Sequence, residues 1–362
     1  MSLIPATILT GFLGAGKTTL LNRILHETHG QKIAVIENEF GEENIDNEIL
    51  VQDSNEQIVE MSNGCVCCTV RGDLIAALSQ LAQKRRDGQL HFDRVVIETT
   101  GLANPGPVAQ TFFMDDDVAT SYLLDGVITV VDASHAMQQL DQFEEAQRQV
   151  GFADRMLLSK SDLTTAEQIA ALEVRLKRIN PRAPMARVDF GKVAIDEIFD
   201  IRGFNLNDKL EIDPDFLKAD EHDHHDCDEH CTHHDHDHAH DHAHDRDHDH
   251  EHRHHDGHGQ GGHTDQIAAF VFRSDRAFDP ARLEEFVGGL VQVYGPRMLR
   301  YKGVLWMQGA SRRVIFQGVH QTMGSDLGAP WGEEEARGSK IVFIGQALPK
   351  QVFIDGLTQC LV

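Results

Sequence analysis

Gly11-Phe12-Leu13-Gly14-Ala15-Gly16-Lys17-Thr18 follows an apolar run at residues 6–9 and opens a helical pattern over residues 17–27. The order Gly-x-x-x-x-Gly-Lys-Thr between a strand and a helix is what a phosphate-wrapping loop requires. The glycines let backbone N–H groups turn inward, and the helix N-terminus adds the positive end of its dipole. Lys17 is placed to reach the outer phosphates and Thr18 to hold magnesium through its hydroxyl. The candidate phosphate-binding set is therefore Gly11, Gly14, Ala15, Gly16, Lys17, Thr18 and Thr19.

Outward from this loop, short apolar runs at 32–36, 58–61, 94–97, 126–131 and 155–158 alternate with helical patterns at 73–86, 136–150 and 165–179. That alternation predicts an α/β fold with a mainly parallel sheet, its strands joined by right-handed helical crossovers. Residues 221–263 break the pattern and hold 18 of the 23 histidines, interleaved with Asp, Ala and Gly. Such a stretch has no large apolar residues with which to build a core, and its composition predicts disorder. Beyond it, strands are expected at 266–273, 297–307, 312–317 and 340–348, with helices at 279–294 and 349–360, a smaller α+β arrangement. The expected division is a P-loop nucleotide-hydrolase domain at 1–205, a linker with the His/Asp tract at 206–264, and an α+β domain at 265–362.

The formal charge of −25 is unevenly spread: Asp220 to Asp256 carries 14 acidic residues against two arginines, a net of −12. No basic stripe or aromatic platform occurs elsewhere, so a nucleic-acid partner is not expected. No run of 18 apolar residues occurs and Met1-Ser2-Leu3-Ile4-Pro5 lacks the regions of a signal peptide, so a cytoplasmic chain without membrane association is expected. Six cysteines, three of them in Cys65-Val66-Cys67-Cys68, point to metal or redox chemistry rather than a disulfide framework.

Two further strand ends carry chemistry. Val95-Val96-Ile97-Glu98-Thr99-Thr100-Gly101 delivers a carboxylate and then a glycine; Glu98 suits a magnesium site through water, and the Gly101 N–H suits sensing of the terminal phosphate. Ser159-Lys160-Ser161-Asp162 resembles the guanine-recognition motif of GTPases, with Asp162 accepting from the base and the Lys160 stem lying along it. Ser159 stands where most GTPases have Asn, which leaves one loop-bracing hydrogen bond open. Lys17, Thr18, Glu98 and Gly101 form the candidate catalytic set, with GTP and GDP as expected ligands.

Cys65, Cys67 and Cys68 put three thiols within four residues, a soft-metal set that leaves one tetrahedral position open for hand-over. Glu37 and Glu39, two apart after an apolar run, can add an oxygen ligand. In the tract, Cys227 and Cys231 with His230, His233, His234 and His236 offer a further site, and the remaining imidazoles suit several exchangeable ions.

Residues 10–19, the Glu-Asn-Glu-Phe-Gly stretch from Glu37, residues 64–68, residues 98–105 and residues 159–162 together resemble the CobW/YjiA family of metal-chaperone GTPases. Tyr301-Lys302-Gly303 with Trp306, and Phe316-Gln317-Gly318-Val319, resemble that family's C-terminal domain. The resemblance implies zinc as cargo, with cobalt or nickel as other candidates, a client metalloprotein as partner, and coupling of metal binding to GTP state. No glutamine sits where small GTPases orient water, so slow intrinsic turnover is expected. A nickel-enzyme maturation GTPase and a metal buffer with a vestigial nucleotide site are the alternative readings.

Overall fold

The computed structural model describes residues 3–26, 30–38, 49–51, 70–188, 190–204, 265–332 and 335–362. The N-terminal part is a seven-stranded sheet in the order β3-β2-β4-β1-β5-β6-β7. Its strands are β1 (Ile4–Gly11), β2 (Ile33–Asn38), β3 (Ile49–Val51), β4 (Arg94–Thr99), β5 (Tyr122–Asp132), β6 (Arg155–Ser159) and β7 (Met185–Val188). All neighbouring pairs run parallel except β2 with β3. The central strands are apolar on both sides because helices cover both faces: Ile8, Val95, Ile97, Val127 and Ile128 are fully buried.

Helices α1 (Lys17–His26), α2 (Val70–Arg86), α3 (Pro105–Met114), α4 (Asp116–Ser121), α5 (Ala136–Gln142), α6 (Glu144–Phe152) and α7 (Ala166–Ile179) fill the connections. Local chemistry sets their ends. Asn104 caps α3 by accepting from the Gly106 N–H, with Pro105 at the first helical position. Thr165 and Gln168 form a reciprocal capping box on α7.

The helix expected over 136–150 is instead two. Phe143 adopts an extended conformation (φ −129°, ψ 117°) between α5 and α6, and its ring packs 4.7 Å from that of Phe12 in the phosphate loop. Three strands escaped the pattern: β3, β7 and, in the C-terminal part, β11. The strand expected at 58–61 lies outside the described residues.

The C-terminal part is a five-stranded antiparallel sheet, β11-β10-β9-β12-β8. It comprises β8 (Ile267–Ser274), β9 (Met298–Leu305), β10 (Arg312–Val319), β11 (Thr322–Pro330) and β12 (Ser339–Gln346), with helices α8 (Pro280–Tyr294) and α9 (Lys350–Gln359). One face packs Phe272, Tyr301 and Phe343 against Leu283, Val287 and Phe353 of the two helices. From the other face, Ile267, Leu299, Val319, Val342 and Ile344 join the core of the N-terminal sheet beside Phe152 and Ala153. Both sheets belong to one compact unit.

A charged knot sits within this shared core. Asp154 accepts from Arg300 at 2.6 Å and Lys302 at 3.1 Å through one oxygen, and from the Val127 N–H at 3.0 Å through the other. The Arg300 guanidinium also lies 4.1 Å from the Phe204 ring centroid. The described chain stops at Phe204, whose carbonyl accepts from Gln317, and resumes at Asp265, which pairs with Arg175 at 2.7 Å.

His320, in the turn between β10 and β11, packs 5.4 Å from the Phe152 ring. Burial pushes its imidazole below the usual histidine value, and the nearby Arg148 charge adds to this, against opposing contacts with the Gly295 and Pro296 backbone. The unfolded chain therefore takes up this proton first as pH falls, and stability present above about pH 6.5 is lost below it. Replacing His320 with Phe is expected to lessen the stability lost between pH 7.5 and 5.5, measured by urea midpoint. An unchanged difference between the two pH values would refute it.

Candidate functional site

The C-terminal ends of β1, β4, β5 and β6 converge, as expected for a binding crevice of a parallel sheet. The phosphate loop follows the central β1. Gly14 and Gly16 take φ values of +76° and +96°, conformations that a side chain strongly disfavours and that this turn needs. The Ala15 N–H closes the turn on the Phe12 carbonyl at 3.1 Å.

Lys17 is 8% exposed and donates to the carbonyls of Gly11 at 2.8 Å and Phe12 at 3.4 Å. Burial lowers its ammonium pKa and the Glu98 charge opposes that. Thr18 Oγ1 donates to Glu98 Oε1 at 3.0 Å, joining two of the expected magnesium-site residues between the start of α1 and the end of β4. Their hard oxygens, beside a buried cation and inward-turned backbone, fit a magnesium–phosphate ligand. Thr99 Oγ1 donates to Thr10 Oγ1 at 2.8 Å and ties the same strand ends together.

Gly101 lies directly over the loop: a Cβ there would come within 2.6 Å of the Leu13 backbone. Its carbonyl accepts from the Gln149 amide at 3.0 Å, and so does that of Ala103. Gln149 carries no motif in the sequence; only the fold of α6 brings it here.

The base-side corner departs from expectation in one respect. Ser159 Oγ donates to the Ala15 carbonyl at 2.7 Å and the Val131 carbonyl at 3.3 Å, so a brace to the phosphate loop is present with serine in place of asparagine. Lys160 adopts a left-handed conformation (φ 55°) and donates to Asp132 Oδ2 at 2.7 Å. Burial alone would raise the Asp132 carboxyl, but hydrogen bonds from Lys160, Ser134 and His135 outweigh it and hold the group below its usual range. Asp132 was missed by motif reading; its signal is a carboxylate closing the apolar run of β5, in register with Ser159 on β6. Asp162 is exposed in the short helical turn Ser161–Leu163 that follows, 30 residues along from Asp132 yet on the same rim.

Glu37 is the penultimate residue of β2, in register with Glu98 of β4. Glu39, Cys65, Cys67, Cys68, Cys227, His230, Cys231, His233, His234 and His236 lie outside the described residues. Among the described residues no three His, Cys, Asp or Glu side chains gather as a metal site, and Cys360 is a buried free thiol. No helix among the described residues is long and apolar enough to cross a membrane.

Two family profiles match the chain: "CobW/HypB/UreG, nucleotide-binding domain" over residues 5–187, and "Cobalamin synthesis protein cobW C-terminal domain" over residues 267–361. The zinc chaperone YjiA of Escherichia coli is 40% identical over 351 residues, covering 97% of this chain and 96% of that one. The zinc chaperone CobW of Pseudomonas aeruginosa is 31% identical over 390 residues, covering 99% and 92%. The crystal structure of Zn(II)-bound YjiA GTPase from E. coli superposes with a TM-score of 0.71 at 35% identity, over all of both chains.

Proposed function

The chain belongs to the CobW/HypB/UreG nucleotide-binding family, and from that premise we propose that it is a cytoplasmic GTPase that binds zinc and passes it to a client metalloprotein. The observation that carries the reading is the Thr18–Glu98 hydrogen bond beside the buried Lys17, at the mouth of a loop whose glycines are already turned for phosphate. The zinc assignment is supported by kinship to zinc chaperones together with the Cys65, Cys67 and Cys68 thiols, which suit a soft cation.

In the proposed reaction GTP and water give GDP and phosphate. Backbone N–H groups of the phosphate loop and Lys17 hold the β- and γ-phosphates, while Thr18 and Glu98 hold magnesium, which when bound neutralises charge developing on the transferred group. Lys160, fixed by Asp132, lies along the base, and Asp162 accepts from it. Gly101 reads whether the terminal phosphate is there. The Cys loop holds one zinc ion, with Glu37 and Glu39 as oxygen donors, and the His/Asp tract, with its Cys227–Cys231 pair, gathers metal. Domain limits of 1–205, 206–264 and 265–362 divide these tasks. Turnover without metal or client is slow, since the sequence offers no glutamine where small GTPases orient water.

Zinc titration of the full chain against a chromophoric chelator, loaded with GDP or a non-hydrolysable GTP analogue, tests this reading. The first equivalent should bind tightest, differ at least about fivefold between the two nucleotides, as allosteric coupling typically does, and disappear in Cys67→Ala. A first equivalent indifferent to both nucleotide and Cys67→Ala would refute the gated carrier and leave the metal buffer.

A further inference from the structure

α6 lies between the phosphate side of the molecule and the C-terminal sheet, and two of its glutamines face opposite ways. Residues two apart on a helix do not share a face. Gln149, 1% exposed, gives its side-chain amide to the carbonyls of Gly101 and Ala103, both at 3.0 Å, and its backbone carbonyl accepts from Thr129 Oγ1 at 2.8 Å. Gln147, 5% exposed, accepts at Oε1 from the N–H groups of Gln266 at 2.9 Å and Ile267 at 3.2 Å, where β8 begins. Between them Arg148 reaches Gln346 at the end of β12 at 3.4 Å. Past Phe152, where α6 ends, the backbone carbonyl of that residue accepts from Arg300 of β9 at 2.8 Å.

The turn 101–103 is thus held between two things only a short distance apart in space: the Leu13 backbone, against which Gly101 is pressed, and one buried amide. A buried amide with both carbonyl partners in place resists displacement, because moving either carbonyl away leaves a polar group unsatisfied in the interior. Any shift of Gly101 on arrival or loss of the terminal phosphate is therefore felt at Gln149.

We propose that Gln149 is the positioning residue of the phosphate-sensing turn, and that α6 carries the nucleotide state from that turn to β8 through Gln147. The proposal rests on the reading of Gly101 as a phosphate sensor. It adds a specific element, one helix with an amide at each side, through which the GTPase site and the C-terminal sheet are linked. Gln149 spends its amide on the Gly101 and Ala103 carbonyls, so it acts through Gly101.

The test uses the full-length chain and Gln149→Met, which keeps the length and removes the donor. One lost hydrogen bond in the sensing geometry is expected to lower affinity for a GTP analogue and kcat by about tenfold. GDP affinity, which does not involve the sensor, should stay within about threefold. Equal losses for GDP and the analogue, or none for either, would overturn the proposal while leaving the nucleotide site intact. Wild-type protein that binds neither nucleotide would overturn the site reading itself.

Amide exchange in the wild-type protein provides a second measurement that needs no variant. Replacing GDP by the analogue should change protection at residues 101–103 and at Gln266 and Ile267 together. A change at 101–103 with none at Gln266 and Ile267 would overturn the link to the sheet.

Discussion

Lys17→Ala is expected to lower kcat/KM for GTP by about 10²–10³-fold, the usual loss when one preorganised charge-stabilising donor is removed, without lowering thermal stability. The two halves of this expectation share one cause. The ammonium is buried, and burial pushes its pKa down, so its charged form is a cost to the folded chain that the Gly11 and Phe12 carbonyls only partly offset. A phosphate ligand would add negative charge to that of Glu98. Alanine removes both the cost and the function, the pattern expected where a site is held at the expense of stability. Single-turnover hydrolysis and a thermal melt on the same preparation decide it; full activity in the variant would remove Lys17 from the site.

The second large effect lies away from the nucleotide. Asp154→Ala should destabilise the fold by roughly 3–5 kcal/mol, the range for breaking a buried ion pair by removing one partner. Two buried cations, Arg300 and Lys302, would lose the carboxylate oxygen they share. They project from the same face of β9 because they are two residues apart on a strand, so one substitution exposes both to the same penalty. The variant in which Asp154, Arg300 and Lys302 are all replaced by Leu or Met should be more stable than Asp154→Ala alone, since an apolar replacement leaves no unpaired charge. Chemical denaturation of the three proteins gives the answer, and a loss below about 1 kcal/mol for Asp154→Ala would mean that water reaches the knot.

Much of this molecule could be read from residue order. The phosphate loop and its flanking elements announce themselves because loop, strand and helix are contiguous, and β1, β4, β5 and β6 are apolar on both faces. β11 was not legible: Thr-Met-Gly-Ser-Asp-Leu-Gly-Ala-Pro has neither alternation nor an apolar run, and it is a strand because β10 pairs with it along an exposed edge. β7 and the three-residue β3 are likewise recruited by neighbours. The break at Phe143 was hidden because helical periodicity runs through it; a contact with Phe12, 131 residues earlier, overrides local preference.

At the site the same division holds. Lys17, Thr18, Glu98 and Gly101 were visible by motif, and the structure brings them together. Asp132 and Gln149 were not, because each acts on a partner distant in sequence and neither type is unusual where it stands. Ser159 was visible as a departure from the guanine motif, but only three-dimensional placement reveals that its hydroxyl reaches Ala15. The cysteines and histidines expected to hold metal, the loudest signal in the sequence, fall outside the described residues.

The pinned ends at Phe204 and Asp265 carry a last consequence. Sequence inserted between two such points adds little by its length, since each doubling of a connection costs in general only about 0.6 kcal/mol of closure entropy. Its histidines can therefore be multiplied or trimmed with almost no effect on whether the rest of the chain folds. Histidine number and fold stability thereby become separate variables, and the first can change without touching the second.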